Sequence, residues 1–140
     1  MNALFVALQN KYEASGSLAT QTNGLWYQGE EHSRKSPYLT FLLVSDTADY
    51  TMGTSSKVVE NCLMQLSVWY EDNSEEADSV NGLERITVLF DLMTTLFDEA
   101  SLTIAGYTLI RCFRESSNLL RDPDGGWAYH TTYRMWLQEV

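Results

Sequence analysis

The stretch Asp122-Pro123-Asp124-Gly125-Gly126-Trp127-Ala128-Tyr129-His130-Thr131-Thr132-Tyr133-Arg134-Met135-Trp136-Leu137-Gln138 decides the fold. Its first five residues are the strongest turn signal in the chain. Proline presets one corner dihedral, and glycine accepts the positive one. The residues after the turn alternate. Trp127, Tyr129, Thr131, Tyr133, Met135 and Leu137 share one parity, and Ala128, His130, Thr132, Arg134, Trp136 and Gln138 the other. Upstream, Tyr107, Leu109, Arg111 and Phe113 alternate with Thr108, Ile110, Cys112 and Arg114. Two alternating runs around such a turn predict an antiparallel hairpin.

Moving towards the N-terminus, residues 74–98 read as one long helix. Asn73 or Ser74 caps it, and Glu75 and Glu76 oppose the positive end of its dipole. Val80, Leu83, Ile86, Phe90, Met93 and Phe97 recur at intervals of three and four, and Leu89, Leu92 and Leu96 widen that stripe. So broad an apolar face must be buried against a sheet. Before it, residues 58–71 read as a strand with Cys62, Met64, Leu66, Val68 and Tyr70 on one face and Asn61, Gln65 and Ser67 on the other. Pro37 opens a strand that is apolar on both faces (Tyr38, Thr40, Leu42 against Leu39, Phe41, Leu43), which predicts a central place in the sheet. Leu25-Trp26-Tyr27 reads as a short strand and residues 17–24 as a loop. Leu4, Leu8 and Tyr12, with Phe5, form one face of an N-terminal helix that Gly16 is suited to close in a left-handed conformation. Residues 46–56 are polar and small, either a long exposed hairpin arm or a mobile loop; residues 118–126 read as a second long loop. The expected fold is α+β: one domain over residues 1–140, an antiparallel meander of four to five strands, with an N-terminal helix and one long helix on one face.

Chemistry is hard to find. His32 and His130 have no cysteine or aspartate at motif spacing. Cys62 and Cys112 sit in apolar runs, where cysteine behaves as a small hydrophobe, and nothing supplies zinc-ligand spacing. Glu75, Glu76, Asp78 and Glu84 suit a solvated helix start, and Asp122 and Asp124 lack the spacing of a calcium loop. No phosphate-binding loop, dinucleotide glycine pattern or nucleophile elbow occurs. The expectation is a non-enzyme with no catalytic residue, no metal and no cofactor. Trp26, Trp69, Trp127 and Trp136 read as core residues or interface anchors.

The 140 residues carry 19 acidic and 9 basic side chains, a formal charge of −10. A protein that grips DNA by its phosphates is basic, so nonspecific DNA binding is disfavoured. The longest apolar runs are too short for a membrane helix, and the N-terminus has no basic segment like that of a secretory signal. These features predict an intracellular protein that keeps away from membranes.

The order of elements resembles the tail terminator, or tail completion, proteins of long-tailed bacteriophages. The resemblance rests on several segments in order. They are the helix Ala3-Leu4-Phe5-Val6-Ala7-Leu8, the strand start Ser36-Pro37-Tyr38-Leu39-Thr40-Phe41, and the strand Leu63-Met64-Gln65-Leu66-Ser67-Val68-Trp69-Tyr70-Glu71. After these come Ser74-Glu75-Glu76-Ala77 and the Arg121-Asp122-Pro123-Asp124-Gly125-Gly126 turn into Tyr129-His130-Thr131-Thr132-Tyr133-Arg134-Met135. It implies a virion structural protein, assembled in the host cytoplasm, that forms a hexameric ring on the tail tube. Such a ring ends tube polymerisation and offers the surface that joins the head. The implied partners are further copies of the chain, the tail tube protein and head–tail connector or neck proteins, with DNA passing through the lumen without specific binding. The family implies no catalytic residue. Tyr50 and Met52, apolar groups on a polar segment, and Asp122 and Asp124 at the hairpin turn are the candidate interface residues. The alternatives are another neck or head–tail connector of a virion and, from a different class, a small-ligand domain with a pocket on its aromatic sheet.

Overall fold

In the computed structural model, residues 2–28, 35–50, 58–71, 79–121 and 126–140 are described, with the backbone alone for 49, 50 and 79–81. The elements run α1 (Asn2–Glu13), α2 (Leu18–Gln21), β1 (Leu25–Tyr27), β2 (Tyr38–Tyr50), β3 (Val58–Glu71), α3 (Ser79–Phe97), β4 (Tyr107–Arg121) and β5 (Gly126–Glu139). The strands form one sheet in the order β1-β2-β3-β5-β4.

This is an α+β architecture, but not the meander expected. β5 enters between β3 and β4, antiparallel to both, so α3 and β4 intervene in sequence between neighbours in space. β1 runs parallel to β2 over Leu39, Thr40 and Phe41. β2 is therefore next to an edge rather than central, and beyond Phe41 its outer side pairs with no described strand. Alternation shows which face a residue takes; it carries no information on which strand lies alongside.

One face of the sheet holds the core. Cys62, Met64, Leu66 and Val68 of β3 lie opposite Met135, Tyr133, Thr131 and Tyr129 of β5. Ile86, Leu89, Phe90, Met93 and Phe97 of α3 and Leu4, Ala7, Leu8 and Tyr12 of α1 join them in one cluster. Phe90 stacks on Tyr129 with ring centroids 3.7 Å apart, and Phe5 fits between Tyr27 and Phe41. Tyr133 donates to Asp98 Oδ1 at 2.7 Å, and Arg114 pairs with Asp98 Oδ2 at 3.4 Å. The end of α3 is thus fastened to two strands by one carboxylate.

Several local expectations need correction. Residues 17–24 contain the short helix α2; Thr22 accepts from Tyr12 or donates to it at 2.7 Å, which anchors this turn. Gly16 is not left-handed; among the described residues the positive-φ glycines are Gly24 and Gly106, and Ser15 Oγ donates instead to the Tyr12 carbonyl at 2.6 Å. Of the two readings of residues 46–56, the hairpin arm holds for 46–50, which belong to β2 and pair with 58–62; residues 51–56 lie outside the described residues. Residues 118–121, read as loop, continue β4 opposite 127–130. Their non-alternating character reflects an edge strand, where Leu120 is exposed and only Leu119 reaches back to the core. The helix start at residues 74–78 and the turn at 122–125 lie outside the described residues.

Met64 is wholly buried between α3 and the sheet. Met64→Ala is expected to destabilise the fold by about 2–5 kcal/mol, the usual cost of such a cavity. Urea unfolding should show a lower midpoint with an unchanged slope.

Candidate functional site: the uncovered sheet face and the arm

The face of the sheet turned away from the helices is covered by no described element. One rung crosses four strands: Thr40 opposite Ser67, Ser67 opposite His130, and His130 opposite Asn118. The adjoining rung is Tyr38, Trp69, Ala128 and Leu120. Trp69 Nε1 donates to Thr40 Oγ1 at 2.8 Å, and its indole stands edge-on to His130 at 5.2 Å and stacks with Tyr38 at 6.3 Å. Further along, Arg134 forks between Glu115, with one contact at 3.3 Å, and Asn61 Oδ1 at 2.7 Å. Trp136 meets Phe113 edge to face at 5.9 Å, and Arg111 lies 4.6 Å over the Phe113 ring. These side chains hold one another in fixed positions, which makes a preorganised polar and aromatic surface.

Ser67 Oγ and His130 Nδ1 are 2.7 Å apart, with Gln65 Nε2 3.4 Å from the same nitrogen. The pairing has the form of a nucleophile and its base. Its environment argues against that use. Ser67 is 0% exposed, so its hydroxyl cannot meet a substrate carbonyl without opening the sheet. Burial also lowers the His130 pKa from its ordinary value, which favours the neutral ring. The arrangement satisfies the buried Ser67 hydroxyl and the half-buried His130 ring across a strand pair. Sequence reasoning missed it because Ser67 and His130 become neighbours only through the β3–β5 register.

The second grouping is on the arm. Beyond a bulge between Leu43 and Ser45, Asp46 lies opposite Cys62. Ligand atoms of Asp46, Glu60 and Cys62 lie within 4.8 Å of one another, a spacing that would admit a cation. The Cys62 thiol is 3.7 Å from Asp46 Oδ1, and burial with the Asp46 charge pushes its pKa up to about 12. Glu60 is raised by burial, by Asp46 and by Glu139, and its Oε2 is buried with no hydrogen-bond partner. A protonated thiol is a poor nucleophile and a poor metal ligand, so in this state the cluster is a knot of like charge. Cys112 is likewise pushed up, to about 11, chiefly by burial.

Of the candidate interface residues, Tyr50 ends β2 opposite Val58, with only its backbone described. Met52, Asp122 and Asp124 lie outside the described residues, as does His32. Trp69 and Trp136 are on the uncovered face, whereas Trp127 lies under Arg121, 4.5 Å away, at the end of the hairpin. A shallow cleft of about 260 Å³ lies between α1 and residues 101–103, lined by Asn10, Lys11 and Leu102 among others. It is away from the aromatic face where a ligand pocket was considered. Among the described residues no helix is long and apolar enough to cross a membrane.

The fold is shared with solved structures. The chain superposes on a chain of a structure titled "Virion of native gene transfer agent (GTA) particle" with a TM-score of 0.71 and 14% identity, covering 98% of this chain and 96% of that one. A second solved chain matches at TM-score 0.58 and 13% identity, over 99% of this chain and 93% of its own. No protein-family model matches the sequence, and no curated protein does.

Glu60→Gln tests the arm. A raised folded-state pKa means that Glu60 favours folding when protonated and loses that contribution as pH rises through the raised pKa. The variant should therefore have a higher urea midpoint than wild type at neutral pH. The difference should close as the pH falls below the carboxylate range, where both side chains are neutral.

Proposed function

We propose that this chain is a structural protein of a virion, that it acts by assembly rather than catalysis, and that it forms a ring on the end of a tail tube. The ring ends tube growth and offers the surface to which the head is joined. The observation that carries this reading is the near-complete superposition on a chain of the gene transfer agent virion. The order of segments along the sequence, from the Pro37 strand to the hairpin turn, independently resembles tail terminator proteins.

The molecular surface agrees with such a role. A rigid uncovered sheet face rich in aromatic and arginine side chains is suited to protein contacts. The charge of −10 disfavours adhesion to DNA, as a lumen through which DNA passes requires. A closed ring of identical copies needs a head-to-tail contact whose rotation closes, with sixfold symmetry as the expectation for a tail cap. The partners on the two ring faces are then the tail tube protein and the head–tail connector.

Native mass measurement and negative-stain imaging, alone and with tail tubes, test this. The expected result is a ring of about six copies with an axial hole, seated on tube ends; closed point groups of this kind are the rule for such assemblies. A chain that remains a monomer and never joins tubes would sink the proposal. Twelvefold rings that ignore tubes would indicate a head–tail connector instead.

A further inference from the structure

Among the described residues, each edge of the sheet has a long stretch with no pairing strand, and the two edges differ in charge. β4 forms one outer edge from Tyr107 to Arg121, and among the described residues no strand pairs beyond it apart from the Ile104 bridge to Tyr107. Typical strands have about 5–6 residues, and natural edges are kept short because unpaired backbone groups recruit other chains. β4 has 15 residues and exposes Ile110 at 50% and Leu120 at 47%. On the opposite side, β1 covers β2 only along Leu39, Thr40 and Phe41, leaving the outer edge from Leu42 onward without a described strand. Residues 44–48 there are exposed.

The charges match across these edges. β4 carries Arg111, Arg114 and Arg121 and one acid, Glu115; Arg111 and Arg114 also meet Glu99 and Asp98 at 3.4 Å, in solvent-exposed pairs weak enough for a neighbour's carboxylates to share. The free part of β2 carries Asp46 and Asp49 and no base. Strand directions match as well. β2 and β5 are both antiparallel to β3, and β4 is antiparallel to β5, so β2 and β4 run in opposite directions. Rotation about an axis along the strands leaves those directions unchanged. It therefore brings β4 of one copy antiparallel to β2 of the next and continues the alternation of the sheet.

We infer that a second copy of this chain docks by β-augmentation, with the arginine-bearing β4 edge of one copy pairing with the acidic β2 edge of its neighbour, head to tail. Backbone hydrogen bonds supply the contact, and the charges select the partner edge. With −10 on every copy, association needs such local complementarity. The bulges at Leu109/Arg111, Arg114/Ser116 and Leu43/Ser45 narrow the registers that fit. This inference rests on the ring reading and names the contact that closes it.

Chains with one added cysteine, Thr47→Cys or Ser116→Cys, test the contact, with Thr108→Cys and Asn118→Cys sampling other registers on β4. A short bismaleimide bridges thiols without requiring disulfide geometry, and the native thiols Cys62 and Cys112 are buried. Mixing the β2 chain with a β4 chain should give a cross-linked dimer, whereas either chain alone should give none. A chain carrying both cysteines should give a ladder. Arg111→Glu combined with Arg121→Glu should lose the cross-link. Both arginines are exposed, so losing the Arg111 contacts with Glu99 and Phe113 and the Arg121 contact with Trp127 should cost little, and the urea midpoint of the variant, measured alongside, separates loss of the contact from misfolding. Rings seen by stain with no cross-link at any register would overturn the edge pairing and leave the ring intact. Cross-links between identical positions would also overturn it, because they require a two-fold contact. Absence of rings, alone and on tubes, would overturn both the pairing and the ring.

Discussion

The pairing of β3 with β5 is the constraint on which the rest of the structure depends. Thirteen residues of β3, from Val59 to Glu71, are matched one to one with β5. That register puts Cys62, Met64, Leu66 and Val68 on the same side as Tyr133, Met135 and Leu137. A slip by one residue would turn every one of these side chains to the other face. It would also separate Ser67 from His130 and Arg134 from its cross-strand partners. The hydrophobic core, the footing for α3 and the polar network on the uncovered face are thus three consequences of one alignment.

The same alignment explains the asymmetry of the molecule. The helices cover one face because only that face is apolar across four adjacent strands. The other face keeps the half-buried Trp69 and His130 and the exposed Trp136 in place through neighbours within the sheet. Polar groups such as Thr40 and Ser67 are buried there at no net loss because each has a partner. The surface so formed is stiff, and stiffness lowers the entropy cost of docking against another protein. The knot of Asp46, Glu60 and Cys62 is different in kind. It concentrates like charge where the arm leaves the sheet, so that part of the fold is under electrostatic tension.

Much of this was legible in the sequence. The parities of β3 and β5 give the two faces correctly, because a buried face and a polar face impose a period of two. The N-terminal helix shows itself through Leu4, Leu8 and Tyr12. What alternation cannot encode is adjacency: nothing local says that β5 enters between β3 and β4, or that β1 lies parallel to β2. Edge strands are also poorly legible. Ser116, Ser117 and Asn118 are polar in succession, as in a loop, because at the sheet edge neither side is buried. Of the candidate interface residues, Tyr50 and Met52 stand out as apolar groups on a polar segment and Asp122 and Asp124 as turn residues, and only Tyr50 falls within the described residues. The contacts that organise the uncovered face are long-range pairs, which no spacing rule reveals.

An assembly protein should leave its mark on the particle and not on a substrate. The proposed ring on a tail tube draws on the shared fold with a chain of the gene transfer agent virion, the preorganised sheet face and the charge of −10. The most direct measurement is tail-tube length in particles made without this chain. The account predicts filled heads separate from tubes that are overlong and variable in length, with both defects repaired when the chain is supplied. Tubes of normal, uniform length joined to heads in its absence would contradict it.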